Sequence, residues 1–202
     1  GRGAFAARLL ELARSAANGS DHQLAFVSAL LAGVTADAQQ DLLRAFLDGT
    51  DPAEHGLAGL VVDHELRWKL VKALAAHGTI DVDVIAAEAA ADNTAAGARH
   101  AAAARAARPT AAAKAEAWDK AFNDDAIANV TVRSIVEGLA RPGQSELMAP
   151  YTRRYFDEVA DLWERRTSEV AQTVVIDLYP AWDVSESALA EADAFLAGDR
   201  PA

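Results

Sequence analysis

The chain has 202 residues, no cysteine and a formal net charge of −11, with 51% hydrophobic but only 6% aromatic residues. The excess of acid argues against nucleic acid as a partner, because phosphate recognition needs clustered Lys and Arg. The lack of cysteine excludes a disulfide framework and thiolate chemistry, and no apolar run approaches the roughly 20 residues of a membrane helix.

Much of the hydrophobic fraction is alanine, the best helix former, and period-2 alternation is scarce. This predicts an all-α protein with closely approaching helices. A first helix spans about Phe5 to Ala17 and stops at Asn18-Gly19. Ser20-Asp21-His22-Gln23 has the pattern of a capping box, so a second helix runs to Gly33. Thr35 is expected to cap a third, ending at Gly49. The segment from Gly49 to Gly59, with Pro52 and three glycines, predicts a loop. Asp63 caps a helix that ends at His77-Gly78.

Further helices are expected over Ile80 to Ala91 and Thr94 to Arg108, then from Pro109-Thr110 to Asn123. Another spans Ala126 to Leu139 and meets the turn Arg141-Pro142-Gly143. Ser145 and Pro150 restart the chain, which stays helical to about Arg166. Ser168 to Tyr179 is stopped by Pro180, and Ser185 to Leu196 comes last. About eleven helices with short connections suggest a curved α-solenoid of antiparallel pairs, HEAT- or armadillo-like, each pair burying a face on its neighbour. A compact irregular bundle is the alternative. No linker divides the chain, so residues 1–202 are expected to form a single domain.

The only methionine is Met148, and helical patterning (Phe5, Leu9, Leu12) starts at once. The chain is therefore expected to be part of a longer polypeptide. Its N-terminus lacks the basic and apolar regions of a signal peptide, which makes a cytoplasmic location the expectation.

Motifs that carry chemistry are few. His64-Glu65 begins H-E-x-x-H, the zinc-metallopeptidase helix motif, but position 68 is Trp, which cannot bind a metal. No two of His22, His55, His64, His77 and His100 stand four apart. No metal or other cofactor is expected in this chain. There is no G-x-x-x-x-G-K-[ST] or G-x-G-x-x-G loop and no G-x-S-x-G elbow. Asp124-Asp125 fits a helix start, where the macrodipole favours acid. Arg153 with Asp157 and Arg154 with Glu158 are i,i+4 pairs of a solvated face. No catalytic residue emerges.

The helix after Asp63 is unusual. On a helical wheel Glu65, Lys69 and Lys72 share one polar face. Leu66, Leu70, Ala73 and Leu74 lie opposite, and Trp68, Val71 and Ala75 widen the apolar arc. A helix apolar over so much of its surface is packed on more than one side. Arg67 falls inside that arc, and an unpaired buried charge is costly. Arg67 should therefore pair with Glu88 or Asp92, with Asp92 preferred. Arg67, Trp68 and Asp92 are thus the candidate site, either as a structural ion pair or as the lining of a ligand cavity.

Several stretches carry a resemblance. Leu66-Arg67-Trp68, Asp92 with Thr94 and Gly97, Pro109-Thr110 followed by Lys114 and Trp118, and Pro150-Tyr151 with Tyr155-Phe156 occur in an order that resembles the C-terminal helical domain of the aminopeptidase N family of zinc metallopeptidases, the actinobacterial type most of all. The resemblance implies a helical last domain that caps an upstream catalytic domain of the same polypeptide and encloses the cavity where peptide substrates bind. The zinc and catalytic residues would sit on that upstream domain, so none transfers to a position here. A stand-alone helical-repeat module binding a protein or peptide is the alternative.

Overall fold

A computed structural model describes residues 2–34 and 36–198. These residues contain α-helices and one 3-10 turn, with no strand among them. The helices are α1 (Arg2–Ser15), α2 (Asp21–Gly33), α3 (Asp37–Leu47), α4 (His64–His77), α5 (Val82–Ala91), α6 (Ala95–Ala107), α7 (Ala111–Phe122), α8 (Asn129–Leu139), α9 (Ser145–Met148), α10 (Pro150–Arg165), α11 (Ser168–Asp177) and α12 (Glu186–Ala197). The 3-10 turn covers Pro52–His55. Twelve helices replace the expected eleven or so because Ser145 and Pro150 each start one; Pro150 lacks the N–H that would continue α9.

The starts follow the capping side chains. The hydroxyl of Ser20 accepts from Gln23 N at 3.2 Å, Asp63 Oδ1 from Leu66 N at 2.8 Å, and Thr110 Oγ1 from Ala113 N at 3.2 Å. Asp81 and Ser185 do the same for α5 and α12. Gln23 closes its box differently from the expected pattern. Its Oε1 accepts from Gly19 N, not from Ser20, and its Nε2 donates to Ala13 O, which ties the fully buried amide to the end of α1. The proposed cap Thr35 lies outside the described residues.

The chain gathers into two compact units, one ending at His100 and the other starting at Ala101. In the first, α1 packs on α2, and α2 and α3 on α4. Leu66, Trp68, Leu70, Val71, Leu74 and Ala75 are all buried, so α4 is covered on more than one side, as its wheel predicts. Gly59, with φ of 80°, brings two loops together: a Cβ there would stand 2.7 Å from Gly19 N.

In the second unit α7 packs on α8, α8 on α11, and α10 on α11 and α12. Its core joins Trp118, Phe122, Val132, Ile135, Leu139, Met148, Tyr151, Tyr155, Leu162 and Val174. Trp118 stacks on Phe122 with ring centroids 4.3 Å apart and lies 4.8 Å from Tyr151. Lone methyl side chains on α6 let α8 come close. A Cβ on Gly138 would overlap the Ala103 carbonyl oxygen.

Candidate functional site

In the first unit the candidate residues sit on α4 and at the end of α5. Arg67 Nε and Nη2 donate to Glu88 Oε1 and Oε2, both at 2.7 Å, and Nη1 donates to Leu47 O at 3.1 Å. The partner is thus Glu88, and the expected preference for Asp92 is corrected. Glu88 lies inside α5 and is 8% exposed, so its carboxylate needs a charge-matched donor where it is. The planar guanidinium meets both oxygens at once. The bridge to Glu88, opposed by burial, raises the Arg67 pKa above its ordinary value. The third contact caps a carbonyl at the C-terminus of α3, where positive charge is favoured.

Asp92 belongs to the neighbouring tryptophan. Trp68, 1% exposed, donates Nε1–H to Asp92 Oδ2 at 2.8 Å. Thr94 Oγ1 donates to Asp92 Oδ1 at 2.8 Å and accepts from Gly97 N at 3.0 Å. These donors, the indole first and the hydroxyl second, hold the Asp92 carboxyl below its ordinary pKa. A Cβ on Gly97 would collide with the Asp92 carbonyl oxygen, so α6 can begin here only with glycine against this turn. The His100 ring stacks on Trp68 at 5.6 Å, and its Nε2 lies 3.7 Å from Glu65. His64 and Glu65, the half motif, stand exposed in the first turn of α4.

The second unit repeats the buried indole-to-carboxylate contact. Trp118, fully buried, donates to Glu158 Oε2 at 3.0 Å. Glu158 also pairs with Arg154, which reaches Asp119 at 3.3 Å and covers the Trp118 ring with its guanidinium 5.8 Å from the centroid. The i,i+4 pair expected on a solvated face thus caps the core, whereas Arg153–Asp157, at 3.4 Å, is exposed.

The sequence reading missed Lys114 as a structural centre. It is fully buried on α7, and Nζ donates to Ala106 O and Leu139 O, both at 2.8 Å. These carbonyls end α6 and α8, and Gln144 Nε2 caps the adjacent Ala107 O at 2.9 Å. Burial, with Arg141 adding to it, pushes the Lys114 pKa down to about 7. Two carbonyls satisfy both N–H groups of a neutral amine. The signal was available: Lys114 shares the inward face of α7 with Ala117, Trp118 and Ala121, where a charge needs a reason.

The polar side chains brought together here tie helix ends to the core. Among the described residues no three His, Cys, Asp or Glu side chains converge in a way that could hold a metal ion, and no helix is long and apolar enough to cross a membrane.

Aminopeptidase N of Streptomyces lividans is 48% identical over 188 residues, which is 93% of this chain and 22% of that protein. The chain therefore spans about a fifth of the length of the curated relative it matches. The model of the ERAP1-like C-terminal domain matches residues 2–202. The resemblance read from Leu66-Arg67-Trp68 and Pro150-Tyr151 is borne out, and the chain belongs to the family of ERAP1-like C-terminal domains.

Proposed function

We propose that this chain is the non-catalytic C-terminal domain of a zinc-dependent aminopeptidase that removes N-terminal amino acids from peptides. It caps the catalytic domain of the same polypeptide and encloses the peptide cavity. The catalytic domain and peptide substrates are its partners, and its place is the cytoplasm. The supporting observation is the match of a C-terminal-domain family over nearly the whole chain, joined to 48% identity with about a fifth of an aminopeptidase.

In this reading zinc belongs to the catalytic domain, where it would polarise the peptide carbonyl and activate water. The residues described above supply rigidity: Arg67, Asp92, Lys114 and Glu158 join helix ends that a cavity wall must hold in place. The test is direct. The purified chain should release no amino acid from aminoacyl-arylamide substrates, with or without added zinc. Zinc-dependent turnover by the chain alone would refute the proposal.

A further inference from the structure

The last three helices leave an apolar surface that the core does not use. Trp163, Ile176, Tyr179, Val184, Leu189 and Leu196 are large apolar side chains at least half exposed, all within residues 163–196. Inside this region Tyr155, Val159 and Trp163 of α10, Val175 of α11 and Phe195 of α12 form a groove of about 250 Å³, with Glu164 on its wall. Its sides are fixed. Tyr155 Oη donates to Val175 O at 2.7 Å, and Phe156 holds Phe195 with ring centroids 5.4 Å apart.

Charge restricts what can fill it. Residues 150–198 hold ten acidic and four basic side chains. All four arginines are engaged: Arg153 by Asp157 and Glu191, Arg154 by Glu158 and Asp119, Arg165 and Arg166 by Asp125. Glu164 and its i−3 neighbour Asp161 are exposed and have no cationic partner among the described residues. The groove is smaller than the roughly 300–1,000 Å³ of small-molecule pockets, and its lining is almost wholly apolar, so it suits one bulky side chain better than a whole ligand. A second copy of the chain would bring another net charge of −11 and set acid against acid.

We infer that the α10–α12 groove docks a cationic amphipathic polypeptide segment, which places one large apolar side chain beside Trp163 and a Lys or Arg against Glu164 and Asp161. The helix-in-groove mode meets both demands, since anchors and flanking charges recur at helical spacing. The test uses the purified chain by itself, so its outcome does not depend on the proposed peptidase role.

The probe is a terminally blocked helical peptide of leucine and lysine with one central phenylalanine, set beside its counterpart with glutamate for lysine. Binding to the purified chain is followed by acrylamide quenching of tryptophan emission. Trp68 and Trp118 are fully buried and Trp182 is partly buried, so Trp163 is the one exposed tryptophan, and the part of the change that W163S removes reports on it. The lysine peptide should bind and shield Trp163, and the glutamate peptide should not. The double variant D161K/E164K, changed only at exposed positions, should weaken binding at least about fivefold, as two exposed ion pairs allow. W163S should abolish the shielding while circular dichroism stays unchanged. Equal binding of the two peptides, or unchanged affinity in the double variant, overturns the proposal. So does concentration-dependent dimerisation that W163S removes, which would make the occupant a second copy.

Discussion

Arg67 and Glu88 meet through two parallel hydrogen bonds of 2.7 Å, and the same guanidinium caps α3 through Leu47 O. One side chain thereby joins α3, α4 and α5. The bridge is asymmetric in exposure: the Glu88 side chain is 9% exposed and that of Arg67 31%.

Removing the carboxylate should therefore be costly. Breaking a fully buried pair destabilises by about 3–5 kcal/mol. Water reaches part of Arg67, so Glu88→Gln is expected to cost about 2 kcal/mol, read as a lower urea midpoint. Asp92→Asn should have a smaller effect and leave the Arg67 bridge intact. The reverse order of the two variants would show that the tie of Asp92 to Trp68 and Thr94 contributes more than the Arg67 bridge.

Lys114 gives stability a pH dependence of definite sign. Its folded pKa is about 7 against 10.5 for an ordinary lysine. Between these values the unfolded chain binds the proton and the folded chain does not, so stability rises with pH. The Lys114 contribution is flat below about pH 7 and can rise by at most about 1.4 kcal/mol per pH unit above it. Tyr155 acts oppositely, since burial pushes its phenol up to about 12, and the unfolded chain loses that proton first. That opposing effect begins near pH 10. Chemical denaturation of the native chain and Lys114→Met from about pH 6 to 9 should show the rise in the first and its loss in the second. Parallel profiles would assign the slope to other groups.

Three helical glycines should separate by sign. A Cβ at Gly97 or Gly138 meets a backbone oxygen that cannot move aside, so Gly97→Ala and Gly138→Ala should each destabilise by roughly 1–3 kcal/mol. At Gly33 the nearest atoms are side-chain carbons of Phe5 and Ala6 at 3.6 and 3.8 Å, an ordinary contact. Gly33→Ala should be neutral or stabilise by up to about 1 kcal/mol, because alanine loses less entropy in a helix. Thermal melts of the three variants check the order.

Trp118→Phe keeps an aromatic ring in the core but removes the donor to Glu158 and part of the surface under Arg154. A loss of about 2 kcal/mol is expected from the smaller ring and the missing hydrogen bond together. If the Glu158 contact matters, Glu158→Gln in the Trp118→Phe background should cost less than in the native chain, a coupling that a double-mutant cycle measures.

Sequence alone determined the helical class, most helix starts and the buried face of α4. These are local properties: an Asp, Ser or Thr cap acts within three residues, and the apolar arc repeats with the helical period. It also determined the family, because Leu66-Arg67-Trp68, Lys114 and Pro150-Tyr151 lie in the right order along the chain. Tertiary structure decided how polar side chains pair. Arg67 had two acids within reach by chain distance, and only the folded chain sets Glu88 before the guanidinium and leaves Asp92 to the indole of Trp68. The role of Lys114 depends on two carbonyls 8 and 25 residues away, at the ends of different helices. Such partners are set by where helices end in space, and helical periodicity carries no information about that.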